Sequence, residues 1–171
     1  MSPRLWWWWC WCWCCKEALS QYLTGTTGYV KSFNYDSGIH LADQQYTVCI
    51  RAELGYCSIS WASVSTTSFQ LSGPAPASTQ TATQGDTCTT DYVILQSAGA
   101  SLPPTPAAGR TDRFCGGILA GQTEPSGTVG TVYTQKLPFN MFVNFDGTES
   151  DESATENSVG FSLYYAQSAC T

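Results

Sequence analysis

The feature that most constrains this chain is the recurrence of an apolar residue at every second position in part of its second half. Between Leu137 and Phe145 every second residue is apolar, which is the period of a strand with one buried face. The same period occurs in Tyr46–Ile50 and Val159–Tyr165, while proline, glycine and β-branched residues interrupt every candidate helical period. The sequence therefore predicts an all-β fold, an antiparallel sandwich of two packed sheets.

One further segment predicts a strand of a different kind. Tyr92-Val-Ile-Leu95 is apolar on both faces, so we expect a central strand that is covered on each side.

The composition excludes several classes of function. The formal net charge is -6 and charged residues make up only 12% of the chain, so there is no basic surface to displace counterions from nucleic acid. No run of apolar residues has the length of a membrane-spanning helix, so we expect no membrane span.

Residues 1–18 form a low-complexity tract that holds six of the seven tryptophans and four of the nine cysteines. Tryptophan and cysteine codons both begin with TG, so we interpret the tract as a translated TG-rich repeat, an artefact of the gene model. The alternative is a signal peptide, because an apolar run follows Arg4. It would be a poor one, because no Ala-x-Ala cleavage site follows the run. The folded domain is predicted to be residues 19–171.

The number of cysteines indicates an oxidising compartment. Nine in 171 residues would be unusual for a cytosolic protein, so we expect an extracellular, secreted chain. Outside the tract there are five, an odd number, and one of them therefore has no partner within the predicted domain. The five are Cys49, Cys57, Cys88, Cys115 and Cys170.

Five short motifs, in this order, resemble those of a CUB domain over about residues 21–170, in a variant like the divergent CUB-like secreted proteins of arthropods. They are Gly28-Tyr-Val-Lys-Ser-Phe-Asn-Tyr35, Tyr46-Thr-Val-Cys49, Cys88-Thr-Thr-Asp91-Tyr-Val, Arg113-Phe-Cys115-Gly116, and Phe145-Asp146-Gly-Thr148 followed by Gly160-Phe161. The resemblance implies a two-sheet sandwich of jelly-roll type, as in spermadhesins.

The resemblance also implies a disulfide pattern. It pairs Cys88 with Cys115, and with that pair assigned we expect Cys57 to pair with Cys170. The first cysteine of the family would fall near Leu19 and is missing. Cys49 is therefore either unpaired or paired with a cysteine of the N-terminal tract.

Many CUB domains bind calcium at one end, and the resemblance places Asp91 and Asp146 at two ligand positions, with Tyr35 and Thr148 nearby. The family's glutamate position is Ser72 here. Calcium prefers several carboxylate oxygens, so we expect weak binding or none, and no other cofactor. The alternative role for Asp91 is to cap a local turn.

The same end is where CUB domains usually bind partners. We expect Tyr35, Asp91, Asp146 and the acidic loop to Glu156 to contact an unidentified extracellular protein or glycan. Catalysis is not expected, because His40 is the only histidine and lies in a polar segment where an exposed, structurally neutral role is typical.

The predicted function is thus a secreted, non-enzymatic binding module. Two alternatives remain open: a structural domain of extracellular matrix or cuticle, and an accessory module or fragment of a larger secreted protein.

Overall fold

The computed structural model describes residues 19–71, 82–102, 112–121, 128–147 and 159–170. Within these ranges the backbone forms eleven strands and two short 3-10 turns, Tyr35–Ser37 and Gly85–Thr87. The strands are β1 (Leu19–Leu23), β2 (Thr27–Lys31), β3 (Gln44–Ile50), β4 (Tyr56–Ser63), β5 (Phe69–Gln70), β6 (Ala82–Gln84), β7 (Tyr92–Leu95), β8 (Arg113–Gly116), β9 (Thr131–Thr134), β10 (Phe139–Phe145) and β11 (Gly160–Ala169). No helix in this part of the chain is long and apolar enough to cross a membrane.

The strands form two sheets. The first has six strands in the order β1-β3-β10-β7-β8-β6, and the second has the order β2-β11-β4-β9, with β5 also paired to β11. The predicted all-β sandwich is confirmed. All strand pairs are antiparallel except β1 with β3, which run parallel. This difference arises because the chain crosses to the other sheet as β2 before it returns as β3, and such a crossover permits parallel neighbours.

The core lies between the sheets and is built from the alternating positions of the strands. In β10 the residues Phe139, Met141, Val143 and Phe145 are buried, as the alternation predicts, whereas Leu137 precedes the strand and is half exposed. Each large buried side chain contributes roughly 1.5–3 kcal/mol by leaving water. The largest fully buried side chains include Trp61, Tyr165, Phe69, Phe114, Phe139, Phe145 and Phe161.

Strand β7 lies inside its sheet, between β10 and β8, but only one of its faces is buried. Val93 and Leu95 point into the core, while Tyr92 and Ile94 are partly exposed. The prediction of a strand covered on both sides is therefore wrong. The outer apolar residues are half-covered by neighbours within the sheet, such as the Arg113 guanidinium, 4.6 Å from the centre of the Tyr92 ring.

Disulfides join the ends of strands. Cys88–Cys115 ties the segment before β7 to β8, and Cys57–Cys170 ties the start of β4 to the end of β11; both expected pairs are confirmed. Cys49 is disulfide-bonded as well. Its partner lies outside the described residues, since the other four cysteines described there pair with each other, so Cys49 is not an unpaired thiol.

Candidate functional site

Three aspartates lie at one end of three neighbouring strands of the six-stranded sheet. The antiparallel register pairs Phe145 with Gln44 and Asn144 with Tyr92, so the end of β10 lies between the starts of β3 and β7. Asp43 directly precedes β3, Asp91 directly precedes β7 and Asp146 directly follows β10. We call this region, together with the connection of residues 32–43, the aspartate end.

Hydrogen bonds link the three aspartates, through the backbones of Asp43 and Asp146 and the side chain of Asp91. The Asp43 N–H donates to the Asp146 carbonyl at 2.8 Å, and the Asp146 N–H donates to Oδ1 of Asp91 at 3.0 Å. Asp91 is only 3% exposed. In this contact its carboxylate binds a backbone amide 55 residues away in sequence, rather than within its own turn.

A buried histidine faces the same carboxylate. His40 is 2% exposed, so the expectation of an exposed histidine is wrong. Its Nε2 lies 3.7 Å from Oδ2 of Asp91, within ion-pair reach but longer than an ordinary hydrogen bond. Nδ1 lies 3.3 Å from the Leu41 carbonyl, and the imidazole stacks on the Phe145 ring with centroids 3.9 Å apart. Both ring nitrogens therefore face oxygen acceptors.

A close backbone approach brings His40 into this position. Gly160 has a φ of +93°, and a Cβ there would collide with Ser32 Oγ and lie 3.2 Å from the His40 Cβ. The Phe161 N–H donates to Ser32 Oγ at 3.0 Å, and the Ser32 N–H donates to the Phe161 carbonyl at 2.9 Å. These bonds hold the connection of residues 32–43 against the start of β11, which only a glycine at position 160 allows.

Tyr35 lies on this connection but makes its described contacts elsewhere. Lys31 forms an exposed ion pair with Asp36 at 2.7 Å, and its Nζ lies 5.7 Å from the centre of the Tyr35 ring. Partial burial raises the pKa of the Tyr35 hydroxyl; Lys31 opposes this shift and Asp36 adds to it. The structure thus brings Asp91 and Asp146 together, whereas the side-chain contact described for Tyr35 is with Lys31, and its role beside the two aspartates stays a prediction.

Exposure divides the acidic residues into two groups. Asp36 and Asp43 are exposed and Asp146 is half-buried, so all three are open to solvent, whereas Asp91 is enclosed. Asp91 therefore positions its neighbours, and its role as a partner contact stays a prediction. Asp43 and His40 were not predicted from the sequence as members of this region. The signal that could have identified Asp43 is its position just before the predicted strand Tyr46–Ile50.

The described residues do not fit calcium. Calcium needs six to eight oxygen ligands. Here one oxygen of Asp91 accepts the Asp146 amide and the other faces an imidazole. No group of three or more His, Cys, Asp or Glu residues in the described ranges is arranged to hold a metal ion. Ser72, Thr148 and the acidic loop to Glu156 lie outside those ranges.

A second feature lies on the outer face of the six-stranded sheet. It is a shallow groove of about 310 Å³ across β3, β10 and β7, and all of its lining side chains are uncharged. The register pairs Phe142 with Thr47 and Ile94 in one row, and Asn144 with Gln45 and Tyr92 in the next. The first row holds one aromatic ring and no amide, and the second holds two amides and one ring.

The sequence of the chain from residue 18 to residue 168 matches the family model of the animal CUB domain. Among solved structures, the CUB1-EGF-CUB2 domains of rat MASP-1 are similar, with 16% identity, a TM-score of 0.53, and coverage of 88% of this chain and 43% of that one. The CUB1-EGF-CUB2 domain of human MASP-1/3 matches with 14% identity, a TM-score of 0.40, and coverage of 85% and 43%. The full extracellular region of zebrafish Gpr126/Adgrg6 matches with 20% identity, a TM-score of 0.40, and coverage of 88% and 15%.

The chain thus spans less than half the length of each of these structures. No curated protein matches it.

Proposed function

Because the chain belongs to the animal CUB domain family, we propose that it is a secreted, non-catalytic module that binds an extracellular protein, alone or as part of a longer chain. The disulfides support an oxidising compartment, since such bonds persist outside the cytosol and are rare within it. The observation that carries the proposal is the alignment of acidic residues at the ends of β3, β10 and β7.

The aspartate end favours a basic partner. Asp43 and Asp146 are accessible carboxylates on backbone that is fixed by hydrogen bonds, so little ordering is required when a partner binds. Asp36 already has Lys31 as a counter-charge. A lysine or arginine side chain of the partner would contact Asp43 and Asp146, with Tyr35 at the side of the contact.

The test compares the removal of negative charge at the two opposite ends of the sandwich. The purified domain is screened by biolayer interferometry against an array of extracellular ectodomains, and each hit is measured again with the double variant Asp43→Asn, Asp146→Asn. Asn tolerates the positive φ of residue 43, which is +53°. Glu53→Gln, which removes one charge from the loop at the opposite end, is the control.

We expect the double variant to bind about tenfold or more weakly than the unaltered domain, and the control to bind with unchanged affinity. Binding should also weaken as salt rises, because the contacts between charges are solvent-exposed. A structural matrix domain would instead show no hit that depends on these aspartates, and that result would contradict the proposal.

A neutral glycan is the second candidate, and the uncharged groove on the outer face of the six-stranded sheet favours it. Aromatic rings and amides together suit a sugar, which has apolar C–H faces and polar hydroxyls. Phe142→Ala should abolish calorimetric binding of neutral hexasaccharides, while Tyr29→Ala, an exposed tyrosine on the other sheet, should not. Equal loss in both variants, or no binding by the unmodified domain, would exclude this candidate.

A further inference from the structure

A buried imidazole holds three separate segments of the chain together at the aspartate end. His40 belongs to the connection of residues 32–43, its ring packs on Phe145 at the end of β10, and its Nε2 faces Asp91 at the start of β7. Its side chain is wholly enclosed and that of Asp91 is 4% exposed. The contact therefore lies inside the protein, where solvent does not weaken it as it weakens a surface pair.

Both oxygens of the Asp91 carboxylate face groups of the protein itself. Oδ1 accepts the Asp146 amide at 3.0 Å, and Oδ2 lies 3.7 Å from the imidazole. A buried carboxylate without partners would be strongly unfavourable. A metal ion could also meet that need, but here an amide donor already faces one carboxylate oxygen and an imidazole faces the other.

We propose that His40 is the positioning residue that takes the place of a metal ion at this end, so that the aspartate end keeps its conformation without calcium. The imidazole lies against Asp91, and its stack on Phe145 fixes it there. The Asp91 carboxylate in turn fixes the amide of Asp146, and the Asp146 carbonyl fixes Asp43. This inference concerns the folded domain and does not depend on the partner or on the proposed function.

The first test uses the unaltered domain and calcium alone. Thermal unfolding is followed in EDTA and in about 5 mM CaCl2, a concentration that would saturate the affinities usual for extracellular calcium modules. The Tm should be the same in both, and calorimetric titration with CaCl2 should give no binding heat. A rise in Tm with calcium, as ligand linkage requires of a bound ion, would overturn the proposal.

The second test is a double-mutant cycle with His40→Ala, Asp91→Asn and the two combined. Each single change should lower the Tm by about 5 °C or more, because the remaining buried polar group loses the residue that it faces. The decrease in Tm of the double variant should be clearly smaller than the sum of the two single decreases, since the two residues act on each other. Additive decreases in Tm would overturn the proposed pairing.

A third readout separates positioning from general destabilisation. Amide hydrogen exchange of Asp146 should accelerate at least about tenfold in His40→Ala, because its acceptor is no longer held in place. Thr134→Val removes another buried hydroxyl, one that donates to the Gln96 carbonyl, and should leave the Asp146 amide unchanged. Equal acceleration in both variants would overturn the assignment. If the variants do not fold, the calcium titration of the unaltered domain still tests whether the aspartate end binds calcium.

Discussion

At the scale of single residues, polar side chains at the end opposite the aspartates connect loops that are distant in the sequence. Glu53 accepts the Gly25 N–H at 2.7 Å and is held by Arg51 at 2.8 Å. The Gln167 amide donates to the carbonyls of Gly25 and Arg51, each at 2.9 Å. These bonds join the turn between β1 and β2 to the loop between β3 and β4.

The Glu53 carboxylate makes a pH-dependent contribution to stability. The Gly25 amide, and then Arg51, hold the pKa of Glu53 below its ordinary value. A depressed pKa in the folded state means that the contribution is present above the unfolded pKa, about 4.3, and is lost as pH falls through the lower folded pKa.

Glu53→Gln should therefore lower the Tm at about pH 7, and the difference from the unaltered domain should shrink towards zero at about pH 2. Thermal unfolding across that range measures it. A Tm difference that does not change with pH would show that the charge of Glu53 is not involved.

At the scale of elements, the contact between the connection of residues 32–43 and β11 determines where the aspartate end is built. Ser32 exchanges two hydrogen bonds with Phe161, and this is possible because Gly160 has no side chain. Gly55 also has a positive φ, +85°, but a Cβ there meets no atom within 4 Å. Substitution at Gly55 therefore measures the cost of backbone strain alone, whereas substitution at Gly160 adds the cost of steric overlap.

Gly55→Ala should lower the free energy of unfolding by about 1 kcal/mol, because alanine is strained at positive φ. Gly160→Ala should cost about 1–3 kcal/mol more, since its Cβ must displace Ser32 and His40. Urea unfolding of both variants makes the comparison. Equal losses would mean that the close approach at Gly160 does not constrain the fold.

At the scale of the whole molecule, two disulfides close loops of different length. Cys88–Cys115 spans 27 residues and Cys57–Cys170 spans 113, almost from the start of the fourth strand to the end of the domain. In the chain-entropy description, a longer closed loop restricts the unfolded chain more strongly.

Replacing Cys57 and Cys170 by serine should therefore destabilise the domain more, by about 5 kcal/mol, than replacing Cys88 and Cys115, which should cost about 3.5 kcal/mol. Urea unfolding of the two double variants measures both losses. The reverse order would indicate that strain or residual structure, rather than loop closure, sets the contribution of each bond.

The sequence predicted the parts of the molecule that depend on local patterns. The alternation in β10 gave the strand and the face that is buried, because side-chain direction in a strand follows directly from residue number. The motifs around Cys88 and Cys115 gave their disulfide and placed Asp91 close to Asp146. Their role as partner contacts stays a prediction.

Features that depend on distant segments were not predictable. His40 lies in a polar stretch, and its burial results from Gly160, 120 positions later, and from the ring of Phe145. The outer face of β7 is apolar in sequence yet half exposed, because neighbouring strands and Arg113 cover it only in part. Local periodicity carries no information on either contact.

The most direct test of this account is a crystal structure of the domain grown in about 5 mM calcium, which exceeds the dissociation constants of about 0.1–1 mM that are usual for extracellular calcium modules. We expect the His40 imidazole to lie beside Asp91, with the Asp146 amide on the other carboxylate oxygen and no ion between them. Calcium coordinated by Asp91 and Asp146, with His40 turned away, would contradict it.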